Sequence, residues 1–364
     1  MIWIDKQDKL EKALERVGRE RTIALDTEAD SLHSYFDKVC LVQMSVPGED
    51  VVIDPLAKVD LSRLGAILAD AKITKVLHGA DYDLRILNRD FGFTTTNLID
   101  TMVSAQLLGY EAFGLAALLD KHFQVKLDKT HQRADWAMRP LPPKMLDYAA
   151  TDTRYLIELA AKLKEELIAA GRWDWALEEF ARLEAIRFRE IPEEEEGWRK
   201  MKNIGNFDRR GLGVLRELHH WRDALARAAD RPPFKIIGND ALIELSKERP
   251  TNLPDLAKLK SVSQYHNRRY ATELLDVIRR AMALPEDQLP DPNERKSWIR
   301  DKALDNRINH LKRVRDKVAA DLKIDPGVLA PRHVLAAIAT TGNLDVPAMR
   351  QWQKKVLGDK LLSA

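Results

Sequence analysis

The chain has 364 residues, a length that accommodates about two or three domains. Its 45% hydrophobic and 32% charged residues exclude disordered and fibrous classes, and because Met1-Ile-Trp-Ile-Asp-Lys6 is no basic-then-apolar leader and no apolar run approaches the roughly 18 residues of a membrane span, a cytoplasmic protein with no membrane partner is expected. The net charge of +2 conceals an asymmetry about the acidic run Glu193 to Glu196: residues 1–196 carry 26 Lys+Arg against 36 Asp+Glu, a net of −10, whereas residues 197–364 carry 33 against 21, a net of +12, a balance that suits a polyanionic partner.

In chain order, Thr22-Ile-Ala-Leu-Asp26, Val39 to Val46 and Val51-Val-Ile-Asp54 read as strands. The lone cysteine, Cys40, can form neither an internal disulfide nor a thiolate cage, and within Val39-Cys-Leu-Val-Gln-Met44 it reads as a buried strand residue. Lys75-Val-Leu-His78 looks like a fourth strand, followed by helix-like Asp81 to Asp90. Asn97-Leu-Ile-Asp100 is a candidate fifth strand, with Asp100 capping the next helix. Arg139-Pro-Leu-Pro-Pro143 interrupts regular structure, and from Lys144 one long helix is expected. The N-terminal half therefore reads as α/β with a mixed sheet.

From about Asn206 helical periodicity takes over, in Leu212 to Ala229 and Asp240 to Glu248. A repeat emerges at an offset of 93 residues: Leu215, Leu218, Arg222, Asp223, Pro233 and Leu242 fall on Ile308, Leu311, Arg315, Asp316, Pro326 and Leu335. Apolar positions coincide between any two amphipathic helices, but the Arg-Asp pair and the proline do so less readily, so two related helical modules are expected. The proline-rich stretch Leu284 to Asn293 between them suits a linker.

Three short motifs carry the chemistry. In Asp26-Thr27-Glu28, at a strand end, residues two apart project to one face, so both carboxylates can serve one hard divalent cation. In His78-Gly-Ala-Asp-Tyr-Asp83, where a glycine turn opens a helix, spacing leaves Asp81 and Asp83 as alternatives, and His78 reads as a structural hydrogen-bonding residue. In Tyr148-Ala-Ala-Thr-Asp152 the tyrosine and the carboxylate are neighbours on one helix face with small residues between them. Two cations about 3.5 to 4 Å apart, held by such carboxylates, can clamp a scissile phosphate, while a phenol can orient the attacking water without ionising.

In order, these motifs resemble those of the DEDD superfamily of 3′-5′ exonucleases in its tyrosine subclass. Leu127-Asp-Lys-Thr-His-Gln-Arg-Ala-Asp-Trp136, with Arg139-Pro-Leu141, resembles the segment before the last motif in the ribonuclease D family and its exosome-associated relatives. The resemblance implies a ribonuclease H-like exonuclease domain over residues 1–196 and two HRDC-like helical domains over 207–285 and 294–364. It further implies that Asp26, Glu28, Asp83 and Asp152 bind two divalent metal ions, Mg²⁺ or Mn²⁺, that Tyr148 orients the water, and that Asp81 is left as a helix cap. The substrate class it implies is RNA, structured tRNA precursors above all, with nucleoside 5′-monophosphates released. A DNA 3′-5′ exonuclease acting on single strands, and a non-catalytic nucleic-acid-binding protein on a decayed nuclease fold, are the competing readings. The chain departs from the family after Glu28, where Ala29-Asp30-Ser31 replaces the usual aromatic residue, and in the second module, where Val314 stands in the place of Trp221.

Overall fold

The computed structural model describes residues 1–128, 130–189, 197–292 and 301–362. The acidic run 193–196, Lys129 of the segment before the last motif, and Asn293 at the end of the linker lie outside the described residues. In chain order come β1 (Ile2–Ile4), α1 (Gln7–Val17), β2 (Thr22–Ala29), β3 (Val39–Val46), β4 (Glu49–Ile53), α2 (Ser62–Ala69), β5 (Thr74–Leu77), α3 (Asp81–Phe91), β6 (Leu98–Asp100), α4 (Thr101–Leu108), α5 (Leu115–Phe123), α6 (Pro143–Arg154), α7 (Leu156–Ala169) and α8 (Trp173–Glu184). A first helical module follows, with α9 (Arg209–Ala228), α10 (Pro233–Ile236), α11 (Asn239–Glu248), α12 (Leu253–Leu256) and α13 (Gln264–Met282). A second contains α14 (Lys302–Leu322), α15 (Pro326–Leu329), α16 (Arg332–Thr341) and α17 (Gln351–Leu362).

The six strands form one mixed sheet in the order β1-β4-β3-β2-β5-β6, with β2 antiparallel to β3 and parallel to β5. Side-chain alternation along β2 sorts the layers. Ile23 and Leu25 enter the core formed with α1, α2 and α3, whereas Ala24 packs against α5 and α7 on the other face. Farther along β3 and β4 that second face is filled by Cys40, Leu41 and Val52 under Trp136 and the Met145, Ala149 and Ala150 side chains of α6. Cys40 is fully buried, as expected, and burial pushes its thiol up to about 12.

Two sequence expectations need correction here. The single long helix from Lys144 is broken at Tyr155, whose φ of −104° and ψ of 0° separate α6 from α7. The break lets α6 cover β3, β4 and the far end of β2 while α7 covers the near part of β2 and β5, two patches that the twist of the sheet turns apart. Asp81 does not cap α3: the N-cap is Ala80 with no side-chain bond, and Asp81 instead pairs with Arg85 one turn on at 2.7 Å. The turn before α3 is held by Asp100, whose carboxylate accepts from the amides of Gly79 (3.1 Å) and Ala80 (2.8 Å) as well as capping α4 through Met102 and Val103. The edge strand β1, only three residues long, is too short to announce itself by alternation.

By packing, the chain divides into two compact units. One joins Met1–Asp30 and Lys38–Phe188 with the second helical module; the other joins Ser31–Asp37 with the first. Within the first unit the second module is fixed to α8: Trp175 stacks on Trp352 with centroids 4.6 Å apart, Glu178 accepts from the first amides of α17, and Glu179 pairs with Arg350 at 2.9 Å. Arg172 links the carbonyls of Leu107 and Leu322, and Gly109 makes the closest approach, because a Cβ there would lie 1.8 Å from the Lys323 carbonyl oxygen. Within the second unit, the Tyr35 hydroxyl donates to Asp223 at 2.9 Å and the amides of Tyr35 and Phe36 donate to Asp230.

The 93-residue repeat is reproduced in the helices themselves, since α10 and α11 reappear as α15 and α16 at that offset. Buried Arg222 donates to the Ile237 carbonyl at 3.2 Å, and buried Arg315 donates to the Ala330 carbonyl at 2.7 Å, again 93 residues on. Each arginine ties its long helix to the end of the short proline-led one. Val314 replaces a tryptophan that packs edge-on against Tyr270 of α13, and the last helix of the second module has 12 residues against the 19 of α13.

Candidate active site

The parity that sends Ala24 toward the α5 and α7 face sends Asp26 and Glu28 to the same side of β2, beyond the last residues that β2 pairs with β5. There they meet α6. Oxygens of Asp26, Glu28 and Asp152 all lie within 4.8 Å of one another. The small residues Ala149 and Ala150 let α6 lie close to the sheet, so that Asp152 reaches the strand carboxylates. The three side chains are half-buried.

Asp83 comes from the opposite side. It occupies the first turn of α3, where the helix dipole favours an acid, is buried, and accepts a hydrogen bond from the hydroxyl of Thr27. Thr27 is the β2 residue between the two acids, so the strand presents carboxylates to one face and the donor that orients Asp83 to the other. Asp83 therefore stands beside the trio rather than within it, but near enough that its charge helps to raise Glu28 and that of Asp26 helps to raise Asp83.

Burial is the largest cause of every shift in this group, and like charge adds to most of them. Asp152 is pushed up to about 7, against a hydrogen bond from Tyr148 that lowers it; Asp26 rises to about 8 and Glu28 to about 10, each raised further by Asp152. Asp83 is held well above the usual carboxylate range. Carboxylates this close and this far shielded from solvent cannot all ionise readily without a compensating positive charge, and an all-oxygen donor set fits a hard divalent cation.

Tyr148 lies one turn before Asp152 on α6, half-buried, and its hydroxyl is raised above its ordinary value by burial and by the charges of Asp152, Glu28 and Asp26. It therefore stays a neutral phenol. Its ring is flanked by Trp136 (centroids 5.9 Å) and His131 (5.8 Å), and Trp136 is itself 1% exposed. Arg139 secures this segment, gripping Asp54 through two nitrogens at 2.7 and 2.6 Å and donating to the Cys40 carbonyl. His78 is structural, as expected. The Thr101 hydroxyl donates to the Leu77 carbonyl and so accepts from Nδ1 of His78 at 2.9 Å, while burial lowers the imidazole below its ordinary value.

A 3′-5′ exonuclease family model matches residues 1–168 and an HRDC domain model matches residues 211–278. The chain is 31% identical over 367 residues to a ribonuclease D from Gluconacetobacter diazotrophicus, covering 100% of this chain and 92% of that protein. The chain belongs to the ribonuclease D family. Among solved structures of the family, that of Escherichia coli RNase D, described as an exoribonuclease involved in structured RNA processing, matches with a TM-score of 0.73 at 30% identity, covering 100% of this chain and 97% of that one. The exosome complex exonuclease RRP6 of Saccharomyces cerevisiae is 31% identical over 296 residues, covering 77% of this chain and 40% of that protein. The ribonuclease D frame thus carries a nuclease domain with a mixed sheet and a helical C-terminal region, as the sequence resemblance implies, and no helix among the described residues is long and apolar enough to cross a membrane.

Some residues that shape the site were not singled out from sequence as functional. Thr27 was hidden because alternation turns it away from Asp26 and Glu28. Trp136 and His131 lie in the segment 127–136 before the last motif, but nothing in their spacing ties them to Tyr148.

Proposed function

We propose that this chain removes nucleotides one at a time from the 3′ end of RNA, releasing nucleoside 5′-monophosphates, with structured tRNA precursors as the substrate class. The observation that carries the reading is the convergence of Asp26, Glu28 and Asp152 within 4.8 Å beside Asp83 and Tyr148. Asp26, Glu28 and Asp152 would hold two divalent cations, Mg²⁺ or Mn²⁺, with Asp83 supplying a further carboxylate from α3. Bound there, such ions polarise the scissile phosphate, lower the pKa of water and stabilise the leaving 3′ oxygen. Thr27 fixes the direction of Asp83. Tyr148, neutral at working pH, hydrogen-bonds the attacking water and aligns it with the phosphorus, while Trp136 and His131 hold its ring in place. Because the phenol does not ionise, it positions the water and does not take its proton.

The basic C-terminal half supports a role in holding the body of the RNA through phosphate contacts, which are independent of sequence and sensitive to salt. We assign that role to residues 207–285 and 294–364, and the chemistry to residues 1–196. The structured-RNA activity described for the Escherichia coli relative supports the choice of substrate. A gel time course on a 3′-extended tRNA precursor and its single-stranded DNA counterpart tests the assignment. The precursor is expected to shorten while the DNA persists. Equal rates on both would replace the RNA reading with a general 3′-5′ exonuclease, and no shortening of either would leave nucleic-acid binding without catalysis.

A further inference from the structure

Gln43 on β3 is fully buried, and neither its amide oxygen nor its amide nitrogen has a hydrogen-bond partner among the described residues. It stands directly opposite Asp26 in the β2–β3 pairing, so the two side chains leave the same face of the sheet with Cβ atoms about 4.5–5.5 Å apart. Its neighbours on that face are provided for: Leu41 is apolar, and the Ser45 hydroxyl is bonded to Asp50 and to Thr153 of α6, each at 2.7 Å. A leucine or methionine would fill the position at no polar cost, whereas a buried amide without partners is destabilising, and in native proteins such a group calls for a specific role.

We propose that Gln43 is a positioning residue for the Asp26 carboxylate, engaged when a divalent cation enters the site; this rests on the reading of that site given above. Two of the other carboxylates already have side-chain donors, Asp83 from Thr27 and Asp152 from Tyr148. Gln43 would supply the corresponding donor to Asp26, its Nε2 hydrogen-bonding the carboxylate when a divalent cation is held there. Groups that orient a metal-binding side chain in this way typically govern affinity by about 10–100-fold.

The test is calorimetric titration of Mn²⁺ into the full-length wild type, Gln43→Met and Gln43→Leu, with thermal unfolding of each in chelator. Both variants are expected to unfold in chelator at the wild-type temperature or above, because they remove an unsatisfied amide, while their Mn²⁺ affinity falls by about 10–100-fold. Wild-type affinity in a folded variant overturns the role of Gln43 and leaves the site intact. If both variants fail to fold without metal, the amide belongs to the framework of the apo core, which also overturns it. Absence of Mn²⁺ binding by the wild type itself refutes the reading of the site, and the inference with it.

Discussion

Replacing Asp152 by asparagine should stabilise the metal-free protein at alkaline pH and abolish its stabilisation by metal. Burial holds the Asp152 carboxyl at about 7 in place of 3.8, and unit charges within 4.8 Å of one another repel by about 3 kcal/mol or more at an effective dielectric near 20, so its ionisation also opposes that of Asp26 and Glu28. A carboxyl whose folded pKa lies above its unfolded one favours the folded state less as pH rises. The loss begins near pH 4 and is complete for Asp152 above about 7, continuing for Asp26 to about 8 and for Glu28 to about 10. A rise of about three units corresponds to about 4 kcal/mol, or on the order of 10 °C in the melting temperature of the unit that contains the sheet. In chelator at pH 8, Asp152→Asn should therefore melt above wild type by that order, and at pH 5 the gap should shrink to less than half. Adding Mn²⁺ should reverse the ranking by stabilising wild type alone. Calorimetric melts at the two pH values, with chelator and with Mn²⁺, read all four quantities. A variant no more stable than wild type at pH 8 in chelator, or one that Mn²⁺ stabilises as much as wild type, would refute this role of Asp152.

Tyr148→Phe should lower kcat at saturating Mn²⁺ by about 100-fold, the scale of losing one preorganised hydrogen-bonding group at a reacting centre, and, because it also removes the donor to Asp152, should weaken Mn²⁺ binding; a wild-type kcat once Mn²⁺ is saturating would show that the tyrosine acts on the metal site alone. Gly109→Ala combines a φ of +83° with a Cβ 1.8 Å from the Lys323 carbonyl oxygen, and should cost more than about 2 kcal/mol in thermal unfolding, with earlier proteolytic release of the second helical module. A wild-type melt would show that the approach relaxes freely. Arg315→Met and Arg222→Met remove the donors to the Ala330 and Ile237 carbonyls, and each should cost about 1–3 kcal/mol in denaturant unfolding. A large effect in only one of them would argue that the two modules do not share a framework.

What could be read from sequence follows from how local each feature is. Strand alternation placed Asp26 and Glu28 on one face, and the i, i+4 spacing placed Tyr148 beside Asp152, because both depend only on backbone period. The repeat was visible for the same reason: a buried arginine bonded to a carbonyl beyond a proline turn leaves fixed spacings. What stayed hidden was set across distance. The choice of Asp100, some twenty residues away, over Asp81 to hold the turn before α3 depends on the β5–β6 pairing. The break at Tyr155 answers to the two patches of sheet that α6 and α7 cover. Thr27 gains its partner only when α3 folds back against β2, and Gln43 meets Asp26 only through the β2–β3 register.

The polarity and metal dependence of cleavage test the carboxylate site most directly. A 5′-labelled RNA with a single-stranded 3′ tail, incubated with the full chain and Mn²⁺, should yield a ladder that shortens by one nucleotide at a time from the 3′ end. The ladder should vanish in chelator and with Asp26→Asn. Internal cleavage, shortening from the 5′ end, or a ladder of undiminished rate from Asp26→Asn would contradict it.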